Sequence, residues 1–195
     1  MPKIVDHDER KRYIAEATWR VIREQGMKGA SVRNIAKEAG VSLGALRHYF
    51  STQQELLSFA MQLVKDRVND RIDAWIPMDL PPKEKIAKIL LELVPVDDDK
   101  MAEMEVWFAF TFQRKYGEER FDALHDGLLD GMRNLVGYLR DTGLLRPELD
   151  PEEEAERLYA LVDGLALHVM LDPARIGRER IVRLMAGHLD SICVP

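Results

Sequence analysis

The sequence predicts an all-α protein of about nine helices, and three observations support this prediction. Apolar residues recur at intervals of three and four along most of the chain, which is the spacing of one helix face. Alternating apolar and polar strings, and segments rich in Val, Ile and Thr between turn residues, do not recur. Glycine, proline and capping residues divide the 195-residue chain into segments of helical length, which leaves little room for a sheet.

The first four helices are delimited by capping hydroxyls and by glycines. The first helix is predicted from Asp8 to Gln25, with Gly26 ending it. Each of the next three helices follows a serine or threonine suited to an N-cap. These helices are expected from Ser31 through Ala39 (ended by Gly40), from the Ser42 cap over Leu43 to Phe50, and from a Ser51 or Thr52 cap to about Trp75.

Five more helices are predicted after the proline-rich segment Ile76–Pro82, which cannot continue a helix. Carboxylates favour helix N-termini, and proline fits the first helical turn. The expected spans are Lys83–Val94, a sixth helix from Asp97–Asp99 with its aromatic residues at Trp107–Tyr116, a seventh between Gly117 and Gly143, an eighth from Asp150-Pro151 to Leu171, and a ninth from Gly177 to Ile192.

Composition excludes several classes of protein. No apolar segment approaches the roughly 20 residues of a membrane span, and the start MPKIVDHDERKR has no apolar signal region. The single cysteine, Cys193, cannot form an internal disulfide and has no Cys or His cluster near it. We therefore expect a cytoplasmic protein that has no membrane partner, no metal site and no cofactor.

The charge is divided unevenly. Residues 1–50 contain ten Lys and Arg against six Asp and Glu, a formal charge of +4, which leaves −10 for the rest of a chain with net charge −6. A basic segment on an acidic body indicates that this segment meets a polyanion. We therefore place a domain boundary after residue 52, with residues 1–52 as the nucleic-acid-binding domain and residues 53–195 as the other domain.

The second and third helices have the spacing of a helix-turn-helix. Ala36 provides a small contact where the helices cross, and Gly40 tolerates the positive φ of the turn. Ile35, Ala39 and Leu46 fill the space between the helices, so the remaining side chains are free to face a DNA duplex. The candidate DNA-binding residues are Ser31, Arg33, Ser42, Leu43, Ala45, Arg47, His48, Tyr49 and Thr52. Arg47 is expected to contact a base, to contact a phosphate or to be a plain surface charge, and Tyr49 is either a phosphate contact or a core residue.

The segment GASVRNIAKEAGVSLGALRHYFSTQQEL (29–56) resembles the DNA-binding signature of the TetR family of bacterial transcriptional repressors. The resemblance implies a helical homodimer that binds a palindromic operator and has a variable C-terminal effector domain. Ala45, Arg47 and Gln53 stand where the family commonly has Thr, Tyr and Lys. EVWFAFTFQRKYGEE (105–119) and LVDGLALHVMLDP (161–173) are similar to the C-terminal domains of the BetI-like branch, whose namesake responds to choline.

The last two predicted helices are apolar on more than one side, which favours pairing with a second copy over a role as buried core helices. The predicted interface residues are Leu158, Val162, Leu165, Val169, Ile181, Leu184, Met185 and Leu189. Helices four to seven are expected to enclose a pocket for a small-molecule effector of unknown identity. Its candidate residues are Phe59, Leu63, Trp75, Met104, Trp107, Phe108, Thr111, Met132 and His168, although such side chains are more often ordinary core.

The predicted function is a ligand-responsive transcriptional regulator, in which effector binding moves the fourth helix and lowers operator affinity. No Ser/His/Asp spacing, phosphate loop or metal motif indicates an enzyme. The remaining alternative is a helical protein–protein adaptor whose basic segment contacts an acidic partner. A steep loss of binding with rising salt separates DNA binding from that alternative.

Overall fold

The computed structural model describes residues 7–116 and 127–195, and within these ranges the chain forms nine α-helices. No described residue lies in a β-strand, and only an isolated bridge joins Leu145 to Cys193. The helices are α1 (His7–Gly29), α2 (Val32–Glu38), α3 (Leu43–Tyr49), α4 (Gln53–Trp75), α5 (Pro82–Glu92), α6 (Asp98–Tyr116), α7 (Leu128–Asp141), α8 (Pro151–Leu171) and α9 (Arg178–Ile192). The predicted all-α fold is confirmed; Gly117, expected between α6 and α7, lies outside the described residues.

Side-chain caps begin several helices where the sequence predicted them. The Ser31 Oγ accepts a hydrogen bond from the Asn34 backbone N–H at 3.2 Å, and the Ser42 Oγ accepts from the Ala45 N–H at 3.0 Å. The Asp150 carboxylate accepts from the backbone N–H groups of residues 152 and 153 at 2.8 and 3.1 Å. These bonds satisfy N–H groups that have no partner inside the helix.

The ends of α1 and α5 differ from the prediction, and the structure decides between the two candidate caps of α4. At Gly26, where the first helix was predicted to end, the backbone does leave the helical conformation, with φ 66° and ψ −179°, but a short helical turn follows and takes α1 to Gly29. α5 ends at Glu92 rather than Val94, because Leu93 is already its C-cap. Of the two candidate caps for α4, Thr52 makes the bond, and its Oγ1 accepts from the residue 55 N–H at 3.0 Å.

The chain divides into two compact units. The first contains α1–α3, α4 as far as Asn69, and α6 from Ala102; the second contains the end of α4, α5, the start of α6, and α7–α9. The boundary predicted after residue 52 divides the chain by function, whereas these units divide it by compactness. The functional boundary therefore stays a prediction.

Each unit has its own apolar core. In the first unit, Ile14, Ile35, Leu46 and Leu56 are fully buried. The indole Nε1 of Trp19 donates to the Ala60 carbonyl at 3.0 Å and so ties α1 to α4. In the second unit, buried residues of α5 and α7 form one cluster with those of α8 and α9.

Candidate nucleic-acid interface and effector site

The turn between α2 and α3 sets the position of the third helix. Gly40 has φ +60°, a conformation that side-chain-bearing residues rarely adopt. The following Val41 N–H donates to the Ala36 carbonyl at 2.9 Å, which closes the turn back onto α2. Because Leu46 is fully buried, α3 turns its opposite face to solvent.

The predicted DNA-binding residues lie within one short segment, and none of them is buried. Ser42, Ala45, Arg47 and His48 are exposed on or beside α3, whereas Leu43 and Tyr49 are partly exposed. Arg33 on α2 and Thr52 before α4 are exposed, and Ser31 is partly exposed. The hydroxyl oxygens of Ser31, Ser42 and Thr52 already accept the capping bonds, so only their O–H groups remain for a phosphate.

Basic residues of the first unit fall into two groups. Arg20 is paired with Glu38 at 2.6 Å and Arg23 with Glu105 of α6 at 2.7 Å. Arg33 and Arg47 are exposed and pair with no acidic residue in the described ranges. Arg33 and Arg47 therefore leave positive charge on α2 and α3 that is available to a polyanion.

Gln53, which stands where the family commonly has lysine, has a structural partner. Its Nε2 donates to the Ala30 carbonyl at 2.9 Å and so joins the start of α4 to the segment before α2. The residue type alone indicates only that a positive charge is missing here. The bond spans 23 positions, and nothing in the local sequence indicates it.

The candidate effector residues separate into two groups. Phe59, Leu63, Met104, Trp107, Phe108 and Thr111 belong to the first unit, and Trp75, Met132 and His168 belong to the second. Phe59 packs on Phe50 with ring centroids 5.4 Å apart, and Leu63 lies in the core of the first unit. Met132 is fully buried and His168 is exposed. Their contact with an effector stays a prediction.

Trp107 offers a ring face that already receives a cation. The Lys65 Nζ lies 5.7 Å from the Trp107 ring centroid, and both residues are partly buried in the first unit. The negative face of an indole attracts cations at this distance. The Lys65 ammonium therefore lies over one face of the Trp107 ring.

Glu92 is the centre of a polar cluster in the second unit. Its carboxylate accepts from Arg71 at 3.0 Å, from Lys100 at 2.7 Å and from the indole of Trp75 at 3.2 Å. Burial disfavours the charged carboxylate, but the hydrogen bonds from Lys100 and Trp75 and the two nearby cations outweigh burial and hold the pKa of Glu92 below its ordinary value. The indole N–H of Trp75, an effector candidate, therefore already donates to Glu92 within the protein.

The predicted dimer residues lie mostly inside the single chain. Seven of the eight are at most 5% exposed in the core of the second unit, and only Leu184, at 43%, faces solvent. Buried side chains have no surface left for a partner, so Leu184 alone among the predicted residues offers such surface, and the interface itself stays a prediction. Leu171 on α8 and Val182 on α9 are 71% and 39% exposed and supply apolar surface there.

A buried acid and a histidine also lie in the second unit. Glu154 is 1% exposed, and its Oε1 accepts from the Arg157 guanidinium at 2.5 Å. The His188 Nε2 is buried and has no hydrogen-bond partner in the described part of the chain. Burial lowers the pKa of His188, the negative charge of Glu154 opposes that shift, and Arg157 adds to it.

The described residues contain no group of three or more His, Cys, Asp and Glu side chains arranged to hold a metal ion. None of their helices combines the length and apolar character that crossing a membrane requires.

Two family models match the chain. Residues 14–58 match the model of bacterial regulatory proteins of the tetR family. Residues 82–194, more than half of the chain, match the C-terminal model of BetI-type transcriptional repressors. These matches confirm the resemblance predicted from residues 29–56 and from the C-terminal segments.

Named relatives span nearly the whole length. The chain is 61% identical to the HTH-type transcriptional regulator PksA of Bacillus subtilis over 100% of this chain and 95% of that protein. It is 34% identical to the regulator BetI of Proteus mirabilis, over 97% and 94% of the two chains. A transcriptional regulator from Rhodococcus sp. Rha1 has a similar structure, with TM-score 0.80, 31% identity, and 95% and 99% coverage. A regulator from Saccharomonospora viridis, crystallised in complex with choline, shares the fold at TM-score 0.79 and 23% identity, with 96% and 100% coverage.

Proposed function

Because this chain belongs to the TetR family of transcriptional regulators, we propose that it binds a palindromic operator as a homodimer and is released by a small-molecule effector. The family binds DNA, and the named relatives are regulators rather than enzymes. The observation that supports this proposal best is the division of α3, which buries Leu46 and exposes Ser42, Ala45, Arg47 and His48. Such a helix fits the major groove, where its exposed face reaches bases and phosphates.

DNA binding is tested by the salt dependence of duplex affinity. Neutralising six to ten phosphates should weaken binding by about 10³- to 10⁵-fold between 50 and 200 mM salt. The probe is a duplex enriched from a random-sequence pool by the wild-type protein, measured by fluorescence anisotropy beside an unselected duplex. Equal binding of both duplexes, with a shallow salt dependence, would favour the adaptor alternative.

Arg47 is the residue that best separates base contact from phosphate contact. If Arg47 reads a base, Arg47→Ala should weaken the selected duplex by roughly 1–3 kcal/mol and relax the preference at one position. If it holds a phosphate, all duplexes should weaken evenly. Arg140→Ala is the matched control, because Arg140 is an exposed arginine of the second unit outside the proposed interface.

The proposed dimer uses the exposed apolar residues of α8 and α9. Symmetric half-sites lie about 34–36 Å apart on a duplex, so a dimer must hold its two recognition helices at that spacing. Leu171→Glu combined with Val182→Glu should give a monomer in sedimentation velocity, whereas Ile76→Glu, a matched change at a 56% exposed apolar residue elsewhere, should not. A dimer that survives the double change would place the interface on another surface.

The effector acts, in this proposal, by binding the DNA-free conformation more tightly than the DNA-bound one, since only differential affinity shifts an equilibrium. The Saccharomonospora viridis regulator was crystallised with choline, and Trp107 offers a partly buried indole that attracts cations, from which choline would have to displace the Lys65 ammonium. Choline is therefore the first compound to titrate. Equal operator affinity with and without choline would reject choline as the effector. Other small cations and planar apolar compounds would then be titrated in the same way.

A further inference from the structure

The first residue of α1 contacts the last turn of the recognition helix. The ring centroid of His7 lies 4.9 Å from that of Tyr49 and 6.3 Å from that of His48, and the His48 and Tyr49 centroids are 5.5 Å apart. We call these three side chains the ring cluster. Its contacts join positions more than 40 residues apart, so the local sequence does not reveal it.

A second contact holds the same ends of α1 and α3 together. The Lys11 Nζ, one turn after His7, lies 5.6 Å from the Phe50 ring centroid and 5.8 Å from that of Phe59. Phe50 is 1% exposed and is anchored in the core of the first unit. Lys11 therefore adds a second contact between the start of α1 and the end of α3, next to the contact of His7 with Tyr49.

The ring cluster is poorly suited to a purely stabilising role. His7 and His48 are exposed, and Tyr49 is partly exposed, so the cluster removes little apolar surface from water. A tyrosine ring at the end of a short helix has two rotatable side-chain bonds, and neighbouring rings on two sides limit where its hydroxyl points. His7 meets Tyr49 with an interplanar angle of 42°, and His48 meets it edge-on at 77°.

We propose that His7 is a positioning residue for DNA binding, whose ring holds the Tyr49 ring so that the Tyr49 hydroxyl bonds a phosphate of the operator backbone. Backbone contacts of this kind fix the register of a protein on its duplex. The inference rests on the proposed function, because it assumes that α3 enters the groove. It adds a residue from α1 to a surface otherwise assigned to α2, α3 and the start of α4.

The test is a double-mutant cycle in the full chain, with the wild-type-selected duplex as the probe. His7→Ala should weaken affinity by about 3- to 10-fold, the range expected for loss of an aromatic pair. His7→Phe, which keeps a ring, should bind within about twofold of wild type. Tyr49→Phe removes only the hydroxyl and should also weaken binding, and His7→Ala added to Tyr49→Phe should cause little further loss.

Two results would overturn the proposal while leaving the proposed function intact. One is a double variant whose loss is the product of the single losses, because His7 would then act independently of the Tyr49 hydroxyl. The other is a His7→Phe variant as weak as His7→Ala, because a ring alone would then not be enough. Tyr138→Phe, which removes an exposed hydroxyl of the second unit, is the matched control. A wild-type protein that selects no duplex would instead reject the proposed function.

Discussion

Two glycines of the helix-turn-helix should respond in opposite directions to the same substitution. Gly40 lies in the turn between α2 and α3 with φ +60°, whereas Gly44 lies inside α3 and has no positive φ. Alanine adds one methyl group at each position. The perturbation is chemically identical, so any difference in sign comes from the backbone conformation and the surroundings of each residue.

The structure allows the size of each effect to be worked out. At Gly40 an added Cβ would meet no atom within 4 Å, so the cost is that of placing alanine in the left-handed region, about 1–2 kcal/mol. At Gly44 the nearest atom to the Cβ is the Ser42 Oγ at 3.9 Å, an ordinary contact. Replacing a helical glycine by alanine without a clash stabilises by about 0.5–1 kcal/mol.

Native-state hydrogen exchange is the appropriate assay, because two compact units need not unfold in one transition. The reporter is the Leu46 amide, which donates to the Ser42 carbonyl at 2.9 Å. Gly40→Ala should lower its protection and Gly44→Ala should raise it. Shifts of the same sign in both variants would refute the backbone argument.

Gly44→Ala also separates stability from DNA binding. Gly44 is exposed on the helix that is proposed to enter the groove, so the new methyl group should obstruct the duplex even as it stabilises the helix. We expect a more stable protein with weaker operator affinity. An affinity that rises together with stability would indicate that this part of α3 does not approach DNA.

Three further predictions concern burial and charge. Burial lowers the pKa of His188 below its ordinary value of 6.5, so the unfolded chain binds the proton more readily than the folded chain. Stability should therefore be lost as pH falls below 6.5. In thermal melts from pH 8 to 5, the melting temperature of His188→Leu should depend less on pH than that of the wild type. Glu92→Gln should destabilise the second unit by about 1–3 kcal/mol in hydrogen exchange, because Lys100 loses its carboxylate, whereas the exposed Asp141→Asn should cost less than about 0.5 kcal/mol. Leu46→Ala, at a fully buried position, should cost about 2–5 kcal/mol in the same exchange measurement.

Helix boundaries were predictable from sequence because their determinants are local. Ser31, Ser42 and Asp150 cap helices with bonds that reach no further than three residues, and such bonds are visible as residue types at fixed spacing. Gly26 breaks the helix as this logic predicts, but the break is not the last residue of α1. A glycine with positive φ is typical of a helix end, but here helical residues resume after a single non-helical position.

The exposed face of α3 was predictable for a related reason. Once Leu46 is assigned to the core, the period of the helix leaves Arg47 and His48 outside, and both are exposed. His7 was missed because its significance depends on a contact with Tyr49 across the fold. No spacing rule connects the start of one helix to the end of another helix 42 positions later.

The dimer residues illustrate what periodicity cannot decide. A regular apolar stripe on α8 shows that this face is buried, but it does not say whether the same chain or a second copy covers it. Here Leu158 and Val162 share a core with Ile86 of α5 and Met132 of α7. The helices of the same chain therefore cover the most regular stripe, and the surface left for a partner is the less regular one around exposed Leu171.

The first unit contains part of α6 as well as the DNA-binding helices, which matters for how effector binding is transmitted to them. From the sequence we predicted that effector binding moves α4, and that α4 in turn moves the DNA-binding helices. In the structure, Val106 and Phe110 of α6 lie in the same core cluster as the helix-turn-helix, and the Arg23–Glu105 pair joins α1 to α6 directly. An effector that contacts Trp107 would therefore touch a helix already packed with the DNA-binding helices. Since packed cores tend to switch between discrete arrangements rather than deform gradually, α6 offers a second route to the recognition helix, alongside α4.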